Sequence, residues 1–172
     1  MLTVDPTEPD AAGLPELREL LDAAFGDRFS DHDFEHCRGG THLRVRHDGL
    51  LVAHASVVPR RLRVGDAMLR CGYVEAVAVR PTHQGLGLGR AVVDAAGEVL
   101  HHGFEVGALS TGSPGFYERC GWRRWQGPTY VVDDGEWRRT PDEDDALLVL
   151  EVAGVLDLTA PIAVEWRPGD SW

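Results

Sequence analysis

The sequence predicts a mixed α/β (α+β) domain, a mostly antiparallel central sheet flanked by helices, and three stretches carry that prediction. Leu14, Leu17, Leu20, Leu21, Ala24 and Phe25 share one face at helical spacing. Residues 41–79 read as consecutive strands broken at Asp48-Gly49 and Gly65-Asp66, both hairpin signals. Tyr73 to Leu100, YVEAVAVRPTHQGLGLGRAVVDAAGEVL, reads as a strand, a glycine-rich turn and an amphipathic helix. The 172 residues suit one domain over 1–172, and 43% hydrophobic with 26% charged content is ordinary for a globular chain.

Each element has its own signal. Pro15 sits where the first turn of a helix tolerates it, and Gly26 is placed to end that helix. The polar, acid-rich stretch 26–40 reads as a loop holding a short helix from Asp31 to Cys37. THLRVRH, LLVAHASVVPRRLRV and AMLRCGYVEAVAV form an antiparallel meander. In its last strand Val74, Ala76 and Ala78 alternate with Tyr73, Glu75, Val77 and Val79. The β-branched content predicts burial on both faces, and Pro81 ends the strand. From Leu88 a helix carries Leu88, Val92, Ala95 and Val99, with Ala91, Ala96 and Leu100 beside them, and ends near His102. Phe104 to Leu109 is a short strand. Ser113 to Cys120 is a short helix, capped by Ser113, with Pro114 in its first turn and Gly121-Trp122 at its end. Val131-Val132 and Leu147 to Val152 are strands separated by the acidic loop RRTPDEDDA. The tail from Val155 carries Trp166 and Trp172, whose indoles offer apolar area to bury, so it is expected to pack rather than fray.

Composition excludes several classes. With 28 acidic against 17 basic residues the formal charge is −11, which argues against a nucleic-acid partner. The same balance suits long-range steering of a cationic substrate, or solubility alone. No apolar run reaches the length of a membrane span, so no membrane partner is expected. The N-terminus lacks a basic segment followed by an apolar one, so a cytoplasmic location is expected. Cys37, Cys71 and Cys120 form no CxxC pair, and His36-Cys37 and His101-His102 have no zinc-site spacing, so no metal is expected.

The turn at 84–90 carries the chemistry. Glycines at 85, 87 and 89 let a ligand approach the backbone, and the first amides of the following helix lack intrahelical partners. With the helix dipole they form a seat for a pyrophosphate. The dinucleotide fingerprint lacks its third glycine here, and no GK[ST] follows. Gln84, Gly87 and Gly89 instead match Q/R-x-x-G-x-G/A, and the stretch resembles the acetyl-CoA motif of the GNAT acyltransferases. The resemblance implies acetyl-CoA as acetyl donor. Gln84, Gly85, Leu86, Gly87, Leu88, Gly89 and Arg90 would hold its pyrophosphate, and Val77, Ala78 and Val79 its pantetheine arm. It also implies the GNAT fold, in which the strand after the helix splays from the central one to admit that arm.

Further stretches narrow the likeness: Cys71-Gly72-Tyr73-Val74-Glu75, Gly107-Ala108-Leu109-Ser110, Tyr117 with Gly121-Trp122, Gly127-Pro128-Thr129, Arg139-Thr140-Pro141-Asp142 and the tail Trp166 to Trp172. From about Phe25 onward the chain resembles the aminoglycoside 2′-N-acetyltransferases. An unpaired carboxylate in an apolar strand is costly, so Glu75 is either a general base or a structural partner of Arg70 or Arg80. The resemblance implies the base. It likewise implies that Tyr117 protonates the departing thiolate, where an aromatic packing role is the alternative. It places the terminal carboxylate of Trp172 in the substrate site, catalytic beside Glu75 and Tyr117. Asp27, Asp33, Ala76, Ser110, Glu143 and Asp170 would complete the pocket for a cationic aminoglycoside. A homodimer is expected. Two alternatives stay open at this point: a GNAT enzyme for another amine (a kasugamycin-like aminocyclitol, a polyamine or a peptide N-terminus), and a non-catalytic GNAT-fold sensor.

Overall fold

The structure, a computed structural model, describes residues 4–7 and 13–172. The chain divides into two compact units, Met1–Val58 with Val74–Val99, and Pro59–Tyr73 with Leu100–Trp172.

The first unit holds β1 (Val4–Thr7), α1 (Leu14–Phe25), α2 (Asp31–Arg38), β2 (Thr41–His47), the start of β3 (Leu50–Val64), the end of β4 (Ala67–Val79) and most of α3 (Leu88–Gly103). β1 runs antiparallel to β2, and β2 to β3. Asp48 (φ 50°) and Gly49 (φ 81°) both take positive φ, the two-residue turn the sequence announced. α1 buries Leu17, Leu20 and Leu21 against Cys37, Leu51 and Ala78, with Phe25, Phe29 and Phe34 around them. Gly26 ends α1 at φ 61°. α2 begins in a capping box: Ser30 Oγ accepts the Asp33 amide, and the Asp33 carboxylate accepts the Ser30 amide at 2.8 Å.

The second unit holds the turn end of the β3–β4 hairpin, β5 (Val106–Ser110), α4 (Pro114–Glu118), β6 (Arg123–Arg124), β7 (Thr129–Asp133), β8 (Glu136–Arg139), β9 (Leu147–Glu151) and β10 (Ile162–Glu165). β5 runs parallel to β4 over three residues, Cys71–Tyr73 against Val106–Ala108. β9 lies antiparallel to β5, and β6 to β9. β10 pairs antiparallel with the end of β3 and parallel with β7, and β8 is antiparallel to β7. The core gathers Leu62, Val64, Tyr73, Val106, Trp125, Val149, Ile162 and Trp172.

Three expectations shift. The acidic loop and the tail each contain a strand. β8 follows a turn at Asp134-Gly135, both at positive φ (48° and 84°), and that dipeptide was the available signal. β10 is only Ile162–Glu165 and lies between β3 and β7, so its partners rather than its own pattern define it. α4 is shorter than expected, and the Ser113 side chain makes no cap; the Ser113 amide instead donates to Thr111 Oγ1 at 3.0 Å. The tail does pack, through Trp172 (5% exposed), whereas Trp166 is 51% exposed.

Candidate functional site

In the first unit the chemistry lies on β4 and the turn that follows it. β4 does not alternate evenly to its end. Ala76 takes φ 51°, a left-handed step rare for a residue with a Cβ, and Glu75, Ala76 and Val77 are only half-buried. The two carbonyls beside the step are held by side chains of β3. His54 Nδ1 lies 2.9 Å from the Ala76 carbonyl, and Ser56 Oγ donates to the Glu75 carbonyl at 3.3 Å. The arginines offered by the sequence as partners for Glu75 are committed to other carboxylates, Arg80 to Glu19 and Arg70 to Glu105. Cys37 of α2 is pushed up to about 12 by burial first, and the negative charge of Glu75 adds to that shift.

Beyond β4 the turn is open. Gly85 and Gly87 both have φ 79°, and a Cβ built on either meets nothing within 4 Å, so backbone and space are both available to a ligand. Gly89 needs no positive φ and belongs to the first turn of α3. The Ala91 amide donates to the Gly87 carbonyl at 3.0 Å, so the helical ladder starts at the turn and the amides of Leu88 and Gly89 precede it. Gln84 Nε2 donates to the Val79 carbonyl at 3.4 Å, tying the turn to the strand, and Arg90 pairs with Asp94. This donor set suits a pyrophosphate. Of the early acids, Asp27 is exposed in a short 3₁₀ turn, while the Asp33 carboxylate serves the capping box of α2.

In the second unit Ser110, at the end of β5, donates to Glu143 at 2.6 Å. Desolvation raises the Glu143 pKa; the Ser110 hydrogen bond opposes this, and the charges of Asp170 and Asp142 add to it. Four acid or hydroxyl groups from three segments are thereby brought together. The tail is anchored beside them. Trp172 Nε1 donates to Thr140 Oγ1 at 3.1 Å, and the Trp172 amide donates to Asp170 Oδ1 at 3.0 Å. Thr140 in turn donates to Thr129 Oγ1, whose hydroxyl lies 2.9 Å from Asp144. Asp144 also takes a bidentate contact from Arg139, which with the threonine bonds holds its carboxyl down at about 2. Arg60 donates to the Ser171 and Glu165 carbonyls, and the Arg60 and Arg167 guanidiniums lie over the Tyr73 ring at 5.3 and 5.8 Å. The sequence marks Thr129 and Thr140 only within longer stretches and Asp144 only as one acid of its loop; their mutual hydrogen bonds, and the part of Arg60, come from the structure.

Tyr117 of α4 is 9% exposed and packs edge-on against Phe116 and Trp122. Burial pushes its phenol up to about 12, with the neighbouring Cys120 adding to the shift, so it keeps its proton at neutral pH. Among the described residues, no group of three or more His, Cys, Asp or Glu is placed to hold a metal ion, and no helix is long and apolar enough to cross a membrane.

Comparison with known proteins gives concordant results. A family described as "Acetyltransferase (GNAT) domain" matches residues 8–125. An aminoglycoside 2′-N-acetyltransferase of Mycolicibacterium fortuitum is 49% identical over 161 residues, covering 90% of this chain and 83% of that protein. Among solved structures, a GNAT-family N-acetyltransferase of Escherichia coli in complex with CoA superposes with a TM-score of 0.71 at 18% identity, covering 95% of this chain and 89% of that one. A GNAT-family acetyltransferase of Brucella melitensis in complex with acetyl-CoA gives 0.66 at 17% identity, covering 96% and 97%. Some other solved relatives are much longer, and the chain spans about a third of their length.

Proposed function

The chain belongs to the GNAT acetyltransferase family, and from that premise we propose that it moves acetyl from acetyl-CoA to the 2′-amino group of an aminoglycoside. The 49% identity to a 2′-N-acetyltransferase over nine-tenths of the chain carries this reading. The open glycine turn before α3 supports acetyl-CoA as the donor, with the pyrophosphate on residues 84–90 and the pantetheine arm along Val77, Ala78 and Val79.

The proposed reaction is a direct transfer with both substrates bound. Holding amine and thioester together supplies an effective molarity of ~10⁵–10⁸ M. The substrate amine is an ammonium at neutral pH, and Glu75 takes its proton, directly or through a water. The freed lone pair attacks the thioester carbonyl, the C–S bond breaks, Tyr117 gives its proton to the departing thiolate, and the second proton shed by the acylated nitrogen returns to the Tyr117 phenolate, leaving Glu75 to pass its proton to solvent. A phenol held neutral by burial is suited to that donation. On the substrate side Glu143, Asp170, Ser110 and Trp172 receive the cationic sugar, with Asp27, Asp33 and Ala76 as further contacts. The raised pKa of Glu143 supports this, because a carboxylate desolvated by burial and pressed by the charges of Asp170 and Asp142 is relieved by an ammonium. Two buried free cysteines, Cys37 and Cys71, fit a reducing cytoplasm. A single catalytic domain over 1–172, a homodimer and a part in antibiotic resistance belong to the same proposal.

The test is CoA thiol release from acetyl-CoA with gentamicin, tobramycin, kasugamycin, spermidine and a peptide N-terminus, with the acetylated position read by NMR. Aminoglycoside-dependent release at the 2′-amine is expected, falling ~10²–10⁴-fold in Glu75→Gln. Turnover confined to spermidine or the peptide overturns the substrate class.

A further inference from the structure

Two buried histidines have no part in the reaction described above. His42 of β2 and His54 of β3 are both 0% exposed, with ring centroids 5.0 Å apart. His42 Nδ1 lies 2.8 Å from His54 Nε2, and His54 Nδ1 lies 2.9 Å from the Ala76 carbonyl. His42 Nε2 lies 3.4 Å from the Arg38 carbonyl. The hydrogen positions follow from the chemistry of the acceptors. A carbonyl oxygen only accepts, so His54 Nδ1 carries the hydrogen at the 2.9 Å contact. A neutral His54 then offers Nε2 as an acceptor, and His42 must donate to it from Nδ1. Burial supports the neutral form, pushing the His54 pKa down to about 3.

What this pair holds is the irregular step in β4. Ala76 takes φ 51°, and the carbonyls on either side of that step, those of Glu75 and Ala76, meet side chains of β3. The donors, His54 and Ser56, are both 0% exposed and reach these carbonyls from β3. We propose that His54, with its tautomer locked by His42, is a positioning residue: it holds the left-handed step at Ala76 and thereby fixes the direction in which Glu75 leaves the strand. The proposal rests on the reading of Glu75 as the base for the amine. His54 touches neither substrate in this role; it acts through the backbone of Ala76. The Ser56 bond is a second, weaker hold on the same step.

The experiment compares His54→Phe with His54→Asn, whose side-chain amide stands where Nδ1–H stood, together with nitrogen NMR of the histidine rings in the wild-type enzyme. His54→Phe is expected to lower kcat for aminoglycoside acetylation by ~10–100-fold with the acetyl-CoA KM unchanged, since a small misplacement of a reacting group has that cost. His54→Asn should restore kcat to within a few-fold. The wild-type spectra should show His54 as the neutral Nδ1–H tautomer between about pH 5 and 8. Equal kcat for the two variants, or an Nε2–H tautomer for His54, overturns the proposal. If His54→Phe does not fold, Ser56→Ala takes its place, with a smaller loss of kcat expected and an unchanged kcat counting against the proposal. A wild-type enzyme that acetylates no aminoglycoside sinks the substrate reading instead. In that case the ring tautomer and amide exchange at Val77, faster in His54→Phe than in His54→Asn, still decide whether His54 holds the step.

Discussion

Replacing Thr140 by valine keeps the shape of the side chain and removes only its hydroxyl. That hydroxyl accepts the Trp172 indole N–H at 3.1 Å and donates to Thr129 at 3.0 Å. Thr129 keeps its contacts to Asp144 and to the Thr140 carbonyl, so its loss is small. Trp172 is 5% exposed, and its indole N–H is left facing a methyl group. A buried donor left without an acceptor costs about 1–3 kcal/mol, and the small loss at Thr129 adds little to it. The penalty falls on docking of the tail, which can open without unfolding the rest. At 1.36 kcal/mol per decade the opening equilibrium shifts roughly 5- to 150-fold. Native-state hydrogen exchange at the Trp172 amide, which donates to Asp170 at 3.0 Å, should accelerate by that factor. The aminoglycoside KM should rise while the acetyl-CoA KM holds, and Thr140→Ser should return both exchange and KM toward wild type. Exchange at Trp172 within twofold of wild type in Thr140→Val would refute the reasoning, because the bond would then contribute nothing to holding the tail.

Two further outcomes follow from the second unit. In Gly127→Ala the new Cβ would sit 2.1 Å from the Ala160 carbonyl oxygen and 2.5 Å from that of Thr159, both main chain. The backbone that must yield also accepts the Trp125 indole, so overpacking of about 1–3 kcal/mol is expected. At about 2–4 °C per kcal/mol for a chain of this size, thermal unfolding should report a Tm lower by roughly 2–12 °C. An unchanged Tm contradicts the close approach. For Tyr117 the sign comes from desolvation, which disfavours the phenolate, so its pKa of about 12 lies above the ordinary value near 10. The ultraviolet difference titration of wild type minus Tyr117→Phe should therefore lack a phenolate step near pH 10 and show it about two units higher. Tyr117→Phe should also lose ~10²–10⁴ in kcat. A difference step near pH 10 rejects the buried-acid description.

What the sequence made legible is local. α1, the Asp48-Gly49 turn and α3 each carry a complete signal within a few residues: an apolar face, a dipeptide that accepts positive φ, a glycine run before a helix. The candidate site drew attention where an unusual residue stands in a regular element, as with Glu75 in an apolar strand. It was not legible where the determinant lies in a partner strand. The step at Ala76 cannot be read from YVEAVAV, since alanine has no preference for positive φ, and its stability comes from His54 and Ser56 some twenty positions upstream. β10 has the same character, being four residues fixed by β3 and β7. That Thr140 holds the Trp172 indole, backed by Thr129 and Asp144, was likewise not legible, because no single residue type announces such a chain of hydrogen bonds.

The charge of the chain illustrates the same distinction between composition and arrangement. A formal charge of −11 suggests a surface that attracts cations everywhere. Yet many of the acids are paired with arginines of the same chain: Glu16 with Arg46, Glu19 with Arg80, Asp22 and Asp31 with Arg18, Glu118 with Arg124, Asp144 with Arg139, Glu151 with Arg123. An acid beside its own arginine adds little to the field that a ligand meets. Glu143 is different. Its carboxylate accepts from the uncharged Ser110 hydroxyl, and Asp142 and Asp170 press on it with like charge. Like charges held together in a partly dry place are the arrangement that an ammonium relieves, and the relief is greater than at an exposed acid because water screens it less. A cation would therefore gain more from these three acids than from the arginine-paired ones, whose charge is already answered within the chain.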